Sequence, residues 1–138
     1  MAVIKVTSYG LGHHDAPRTL RPPIDIDTRE LRNPPDDPAV RARLTQLTGR
    51  DPEVAHYVMT TPGARELVDA SVQRVLTAVA AGQDHIEVTV SCYGGRHRSV
   101  AIADEVAAEL RERHHCVHIH HRHIQMPLLP SRRTEAQR

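Results

Sequence analysis

The chain has 138 residues, a length for one domain and one core. Its net charge of +1 with His neutral gives no bulk field to select a partner, although eleven His would make it basic on acidification. Phe and Trp are absent and Tyr is the only aromatic residue, so the chain lacks the stacking platforms of single-strand nucleic-acid binders and builds its core from Val, Leu, Ile and Ala.

Ala2 to Ser8 carries Val3, Ile4 and Val6, a short apolar run that reads as a buried strand ended by Gly10 and Gly12. His13 and His14 lie in the loop that follows. Pro17 to Pro23 is irregular and basic, with Arg18 and Arg21. Ile24-Asp25-Ile26-Asp27 alternates as a second strand does. Arg29 to Pro38 is rich in Pro and Asp and reads as a loop, long enough to carry function. Pro38 to Leu47 predicts a short helix closed by Gly49. Asp51-Pro52 predicts an N-cap with Pro at the first helical position, and a helix to about Met59. Thr61-Pro62 repeats that signal. In the next helix Val68, Val72, Val75, Leu76 and Val79 share one face, and Gly82 stops it.

Ile86 to Val90 alternates as a strand. Val100 to Glu112 predicts a helix with Val100, Ala103, Val106, Ala107 and Leu110 buried and Asp104, Glu105, Glu109 and Glu112 toward water. Cys116 to His121 predicts a last strand. The domain is expected over residues 1–125, and residues 126–138, with Pro127, Pro130, Arg132, Arg133 and Arg138, are expected to form a disordered basic tail. Strands alternating with helices predict a single α/β domain with a largely parallel sheet flanked by helices. Ligands in such sheets sit beyond the carboxyl ends of the strands. That rule gathers His13, His14, Arg29, Asn33 and the loop Gly94 to Arg98 at one cleft.

The loop Ser91-Cys92-Tyr93-Gly94-Gly95-Arg96-His97-Arg98-Ser99 carries the chemistry. A strand, a Gly-rich loop and a helix make an anion seat: glycines turn backbone N–H groups inward and the helix N-terminus adds partial positive charge. Arg96 and Arg98 add formal charge, and Arg holds phosphate with paired hydrogen bonds. His97 is placed either to orient a phosphate oxygen or to cap the helix from inside. Ser99 is a ready N-cap.

Cys92 and Arg98 stand at the spacing of Cys-dependent phosphatases, whose thiolate attacks phosphorus while the Arg grips two oxygens. Here Ser91 occupies the position where those enzymes commonly carry His. A leaving-group acid is also required, and Asp36, Asp37 and Asp51 are candidates with nothing to aim them. Burial is the commoner fate of a Cys at a strand end, so a binding module is preferred to the phosphatase.

His114, His115, His118, His120, His121 and His123 invite a metal reading, and His118 and His120 share a strand face. A solvated His-rich edge strand is preferred, and neither metal nor cofactor is expected. Two Cys make no disulfide framework, which favours a reducing cytoplasm. No apolar run approaches the length of a membrane span, and Met-Ala-Val-Ile-Lys does not read as a signal peptide.

Cys92-Tyr93-Gly94-Gly95-Arg96-His97-Arg98-Ser99 resembles the Cys-x-Gly-Gly-x-His-Arg-Ser motif in the C-terminal domain of the RapZ family of RNase adapter proteins. Ser8-Tyr9-Gly10, Asp27 to Pro34, Thr48-Gly49-x-Asp51 and His121-Arg122 resemble further landmarks of that domain in the same order. The likeness spans roughly residues 4 to 122. It implies an α/β fold like a phosphofructokinase subdomain. It also implies binding of a phosphorylated amino sugar, glucosamine-6-phosphate, at the Gly-Gly loop, contact with small RNA or a regulatory protein partner, and self-association to a homo-oligomer. Carried over by motif, Gly94, Gly95 and Arg98 contact the ligand with Tyr93 beside them, and Arg96 matches a basic residue tied to RNA. Departures are Tyr93 in place of Thr, Pro35 in place of a ligand-contacting His, and no Gly-x-x-x-x-Gly-Lys-Ser/Thr, so ATPase activity is not implied.

Overall fold

The computed structural model describes residues 1–32 and 38–130. Its elements are β1 (Val3–Gly10), a 3-10 turn (Leu11–His13), β2 (Ile24–Asp27), α1 (Pro38–Thr45), α2 (Pro52–Met59), α3 (Ala64–Ala80), β3 (His85–Cys92), α4 (Arg98–Glu112) and β4 (Cys116–His121). Every strand pairing is parallel, in the order β2-β3-β1-β4. The α/β sheet expected from the alternation of elements is what forms.

Alternation in the strands sets the two faces. Ile4 and Val6 of β1, Ile86, Val88 and Val90 of β3, Ile26 of β2 and Val117 of β4 point to one face and are buried. α4 lies across β1, β3 and β4 on that face, and α3 packs beside it. Val68, Val72 and Val75 of α3 meet Val106, Ala107 and Leu110 of α4 in the same core.

The other face carries Lys5, Thr7, Glu87, Thr89, Asp25, His118 and His120. Chain order explains why no helix among the described residues covers it. The connections β2 to β3 and β3 to β4 run one way along the sheet, and β1 to β2 runs back. Right-handed crossovers put the first two on one face and the third on the opposite face. That third connection is the irregular segment 14–23, and its Leu20 N–H donates to the Glu87 carboxylate at 2.9 Å.

Three local expectations are corrected. Thr61 does not cap α3: Gly63 holds the N-cap position and the Thr61 carbonyl accepts from Ala64 N–H at 3.0 Å. Asp51 is the N-cap residue of α2, but its carboxylate turns back to Thr48 N–H at 2.7 Å. Asp104 does not simply face water: it accepts from His121 Nε2 at 2.9 Å, while His121 Nδ1 lies 2.6 Å from Ser8 Oγ. His121 therefore ties α4 to both strands and is 5 % exposed at its side chain, unlike a solvated edge histidine.

Candidate anion-binding site

β3 delivers the chain to the carboxyl edge of the sheet at Cys92, and α4 begins at Arg98. The loop between them is held from three sides. From β1, Gly10 lies against the Gly94–Gly95 peptide so closely that a Cβ there would come within 2.5 Å of the Gly94 carbonyl carbon. Gly95 has a φ of 77°, which favours glycine, and a Cβ on it would meet Gly10 N at 2.6 Å. From the turn between α1 and α2, Gly49 N–H donates to the Arg96 carbonyl at 2.7 Å. That turn is shaped by Asp51 holding Thr48, so the Thr-Gly-x-Asp landmark is a brace for the loop. From the β2 side, Thr28 N–H and Oγ1 both donate to the Ser91 carbonyl at 2.8 Å.

His97 lines a cavity beside the loop and also braces the loop. It occupies the N-cap position of α4 without a side-chain cap bond, and its Nε2 donates to the Leu47 carbonyl at 2.8 Å. Burial pushes its pKa below the ordinary histidine value, with that carbonyl opposing. Ser99 is not the N-cap. It lies inside the first turn, and Cys92 Sγ donates to its Oγ at 3.1 Å. Gly95 N–H donates to the same sulfur at 3.2 Å.

Arg98 is 6 % exposed. Its Nη1 donates to the carbonyls of Arg29 at 2.8 Å and Leu31 at 3.1 Å, so it also fastens the loop after β2. Burial pulls its pKa down, and the nearby Cys92 and Asp27 oppose that. Arg96 Nη1 donates to the carbonyls of Ile124 at 3.1 Å and Met126 at 3.0 Å. The Nε atoms of both arginines are buried with no hydrogen-bond partner among the described residues. Buried donors are normally satisfied, and a charged one left over is a costly exception.

Beside these groups is a cavity of about 310 Å³. Its floor is Cys92 to Arg98, one wall is Arg41 and Thr45 of α1, and the other is Leu128 and Leu129. Gly94 has no positive φ, and a Cβ built on it would meet nothing within 4 Å. Neither backbone nor packing demands glycine there, so its effect is to keep the cavity floor bare. The amides of Arg98, Ser99 and Val100 precede the first helical bond of α4, Ala101 N–H to the His97 carbonyl. The cavity therefore combines a helix N-terminus, the two guanidinium-bearing residues Arg96 and Arg98, and no carboxylate among its described lining.

Arg29 and His13 are not among the residues that line the cavity. Arg29 is exposed and closed on Asp27 through a 2.7 Å ion pair, which holds the Asp27 carboxyl below its usual range. Its contribution is the carbonyl that receives Arg98. His13 Nε2 reaches the Gly94 carbonyl at 3.1 Å, and its ring lies 4.4 Å from that of His123. His123 Nδ1 accepts from Gly10 N–H at 2.8 Å, and burial lowers its pKa. Tyr93 flanks the cavity and its carbonyl accepts from Gly12 N–H at 2.9 Å. Asn33, Asp36 and Asp37 lie outside the described residues, as do residues 131–138. Sequence reasoning missed Arg41, Thr45, Leu128 and Leu129. Arg41 and Thr45 are four apart on α1, which is a usable signal for a shared face; nothing local marks the two leucines.

Landmark residues Gly10, Thr28 and Gly49 thus meet around one loop. The sequence profile of the RapZ C-terminal domain matches residues 2–125. The chain belongs to the RapZ C-terminal domain family. It is 40 % identical over 115 residues to a "Nucleotide-binding protein" of Rubrobacter xylanophilus, covering 78 % of this chain and 34 % of that protein. It is 35 % identical over 127 residues to one of Desulfovibrio desulfuricans, covering 89 % of this chain and 39 % of the relative. A Sphingopyxis alaskensis protein of the same name is 37 % identical over 113 residues, 79 % of this chain and 34 % of the relative. The chain spans about a third of the length of these curated relatives. No helix among the described residues is long and apolar enough to cross a membrane, and no group of three or more His, Cys, Asp or Glu among them is placed to hold a metal ion.

Proposed function

We propose that this RapZ C-terminal domain is a regulatory module that binds a phosphate-type oxyanion at the Gly94–Arg98 floor. The observation that carries the reading is Arg98, a guanidinium buried at a helix N-terminus and bordering an open cavity that no carboxylate among the described residues lines. An anionic oxygen there takes a charge-assisted bond from the guanidinium. Gly94, Gly95 and Arg98 hold the oxyanion, Arg96 supplies a second donor, and Arg41 and Thr45 face the rest of the ligand. The relatives' printed names support a nucleotide as the phosphate carrier, and a phosphosugar is the carrier that the motif resemblance implies. In this reading the occupied module reports to an RNA or a regulatory protein.

A thermal-shift screen of inorganic phosphate, phosphosugars and nucleotides tests the proposal. Saturable stabilisation by a phosphate-bearing compound, without turnover, is expected. No stabilisation by any member would refute it.

One observation favours a second reading, the Cys-dependent phosphatase. Cys92 is among the residues that line the cavity, at the Cys-to-Arg98 spacing of those enzymes, and Gly95 N–H donates to its Sγ. Against it, no carboxylic acid among the described lining residues is placed to protonate a leaving group. Steady hydrolysis of an aryl phosphate, abolished by Cys92→Ser, would select the enzyme.

A further inference from the structure

Residues 124–130 leave the sheet edge after β4 and bring Leu128 and Leu129 to one wall of the cavity. Their turn is closed by Met126 N–H donating to the His123 carbonyl at 3.1 Å, and Arg96 Nη1 clamps the carbonyls of Ile124 and Met126. Further on, Leu128 and Leu129 line the cavity. Leu129 Cδ1 lies where a Cβ on Gly12 would come within 2.6 Å of it, next to the Tyr93 ring. Met126 is 43 % exposed and Leu128 47 %, so this strap is laid on the surface rather than built into the core.

Docking the strap has a consequence for Arg96. It commits Nη1 to two carbonyls and leaves Nε buried without an acceptor. The same side chain lines the cavity, so the clamp also fixes a guanidinium that an oxyanion there would use.

We infer that docking of the 124–130 strap and binding of an oxyanion are positively coupled through Arg96. This rests on the phosphate reading of the cavity and adds its regulation. An anion held by Arg96 orders the side chain that clamps the strap and so favours the docked strap. By linkage the docked strap favours the anion by the same factor. Leu128 and Leu129 also keep water from one side of the cavity, which strengthens the charge-assisted bonds inside. Ligand occupancy is thereby converted into the position of an exposed apolar segment, a change that a partner can read.

Hydrogen exchange of the full chain, followed by mass spectrometry as inorganic phosphate is added, tests this. Protection of the amides of Gln125, Met126, Leu128 and Leu129 is expected to rise over the same phosphate range as that of residues 92–98. Leu129→Ser is expected to weaken phosphate binding about fivefold, and Arg96→Gln to uncouple strap protection from phosphate. Phosphate that protects residues 92–98 while leaving the strap unchanged, or loosening it, would overturn the coupling alone. Phosphate that protects neither segment would overturn the reading of the cavity and the coupling with it.

Discussion

Two cavities lie at opposite ends of the sheet, and the larger has the weaker claim to be a ligand site. The one near the amino ends of the strands is about 640 Å³ and is lined by Val3, Lys5, Leu20, Arg21, Glu87 and His118, among others. Its charges are of both signs, and Glu87 already accepts from Leu20 N–H. The one at the carboxyl ends is about 310 Å³ and carries Arg41, Arg96 and Arg98, with no carboxylate among its described lining. Room is easily left where a sheet face has no helix over it. A fixed set of donors of one sign is not, because each buried charge must be held against its desolvation. The difference teaches that braced donors of one sign identify the site better than volume does.

The sharpest way to break the comparison is Gly95→Ala. The new Cβ sits at a positive φ and against Gly10, so about 3 kcal/mol of stability is expected to be lost, with phosphate binding, in thermal unfolding and calorimetry. Next is Arg98→Ala, expected to weaken phosphate binding by roughly 1.5–3 kcal/mol in calorimetry. Because Arg98 also holds the carbonyls of Arg29 and Leu31, exchange at residues 28–32 is expected to quicken.

A smaller effect concerns pH. Burial lowers the pKa of both His97 and His123 from the ordinary 6.5, so the unfolded chain takes up their protons at a higher pH than the folded one. Their contribution to stability is whole above about pH 6.5 and declines as pH falls from there toward the folded-state values. Denaturant midpoints are expected to fall on acidification through that window, and His123→Gln to flatten the fall. The smallest effect belongs to the other cavity: Lys5→Ala is expected to leave stability within about 0.5 kcal/mol and phosphate affinity unaltered.

Much of the fold was legible because its signals are local. The alternation in Ile86–Val90 and the valine stripe of α3 each name an element and its buried face. The strand-loop-helix order at Cys92–Arg98 points to an anion seat for the same reason. What was not legible depends on contacts distant in sequence. No local pattern shows that Arg98 is spent partly on the carbonyls of Arg29 and Leu31, or that His97 turns to Leu47. Ser99 has the side chain of an N-cap, yet the helix starts before it and the hydroxyl meets Cys92. Pro127 and Pro130 suggest a loose tail, while the clamp by Arg96 and the packing of Leu129 are visible only in three dimensions.

The central claim is that the bare floor at Gly94 receives an oxyanion, and calorimetry of inorganic phosphate into the wild-type chain and Gly94→Ala tests it most directly. A methyl group there enters open space, so melting temperature is expected to hold while phosphate affinity falls about tenfold. A wild-type chain that takes up no phosphate, or a Gly94→Ala chain that takes it up equally well, would contradict the account.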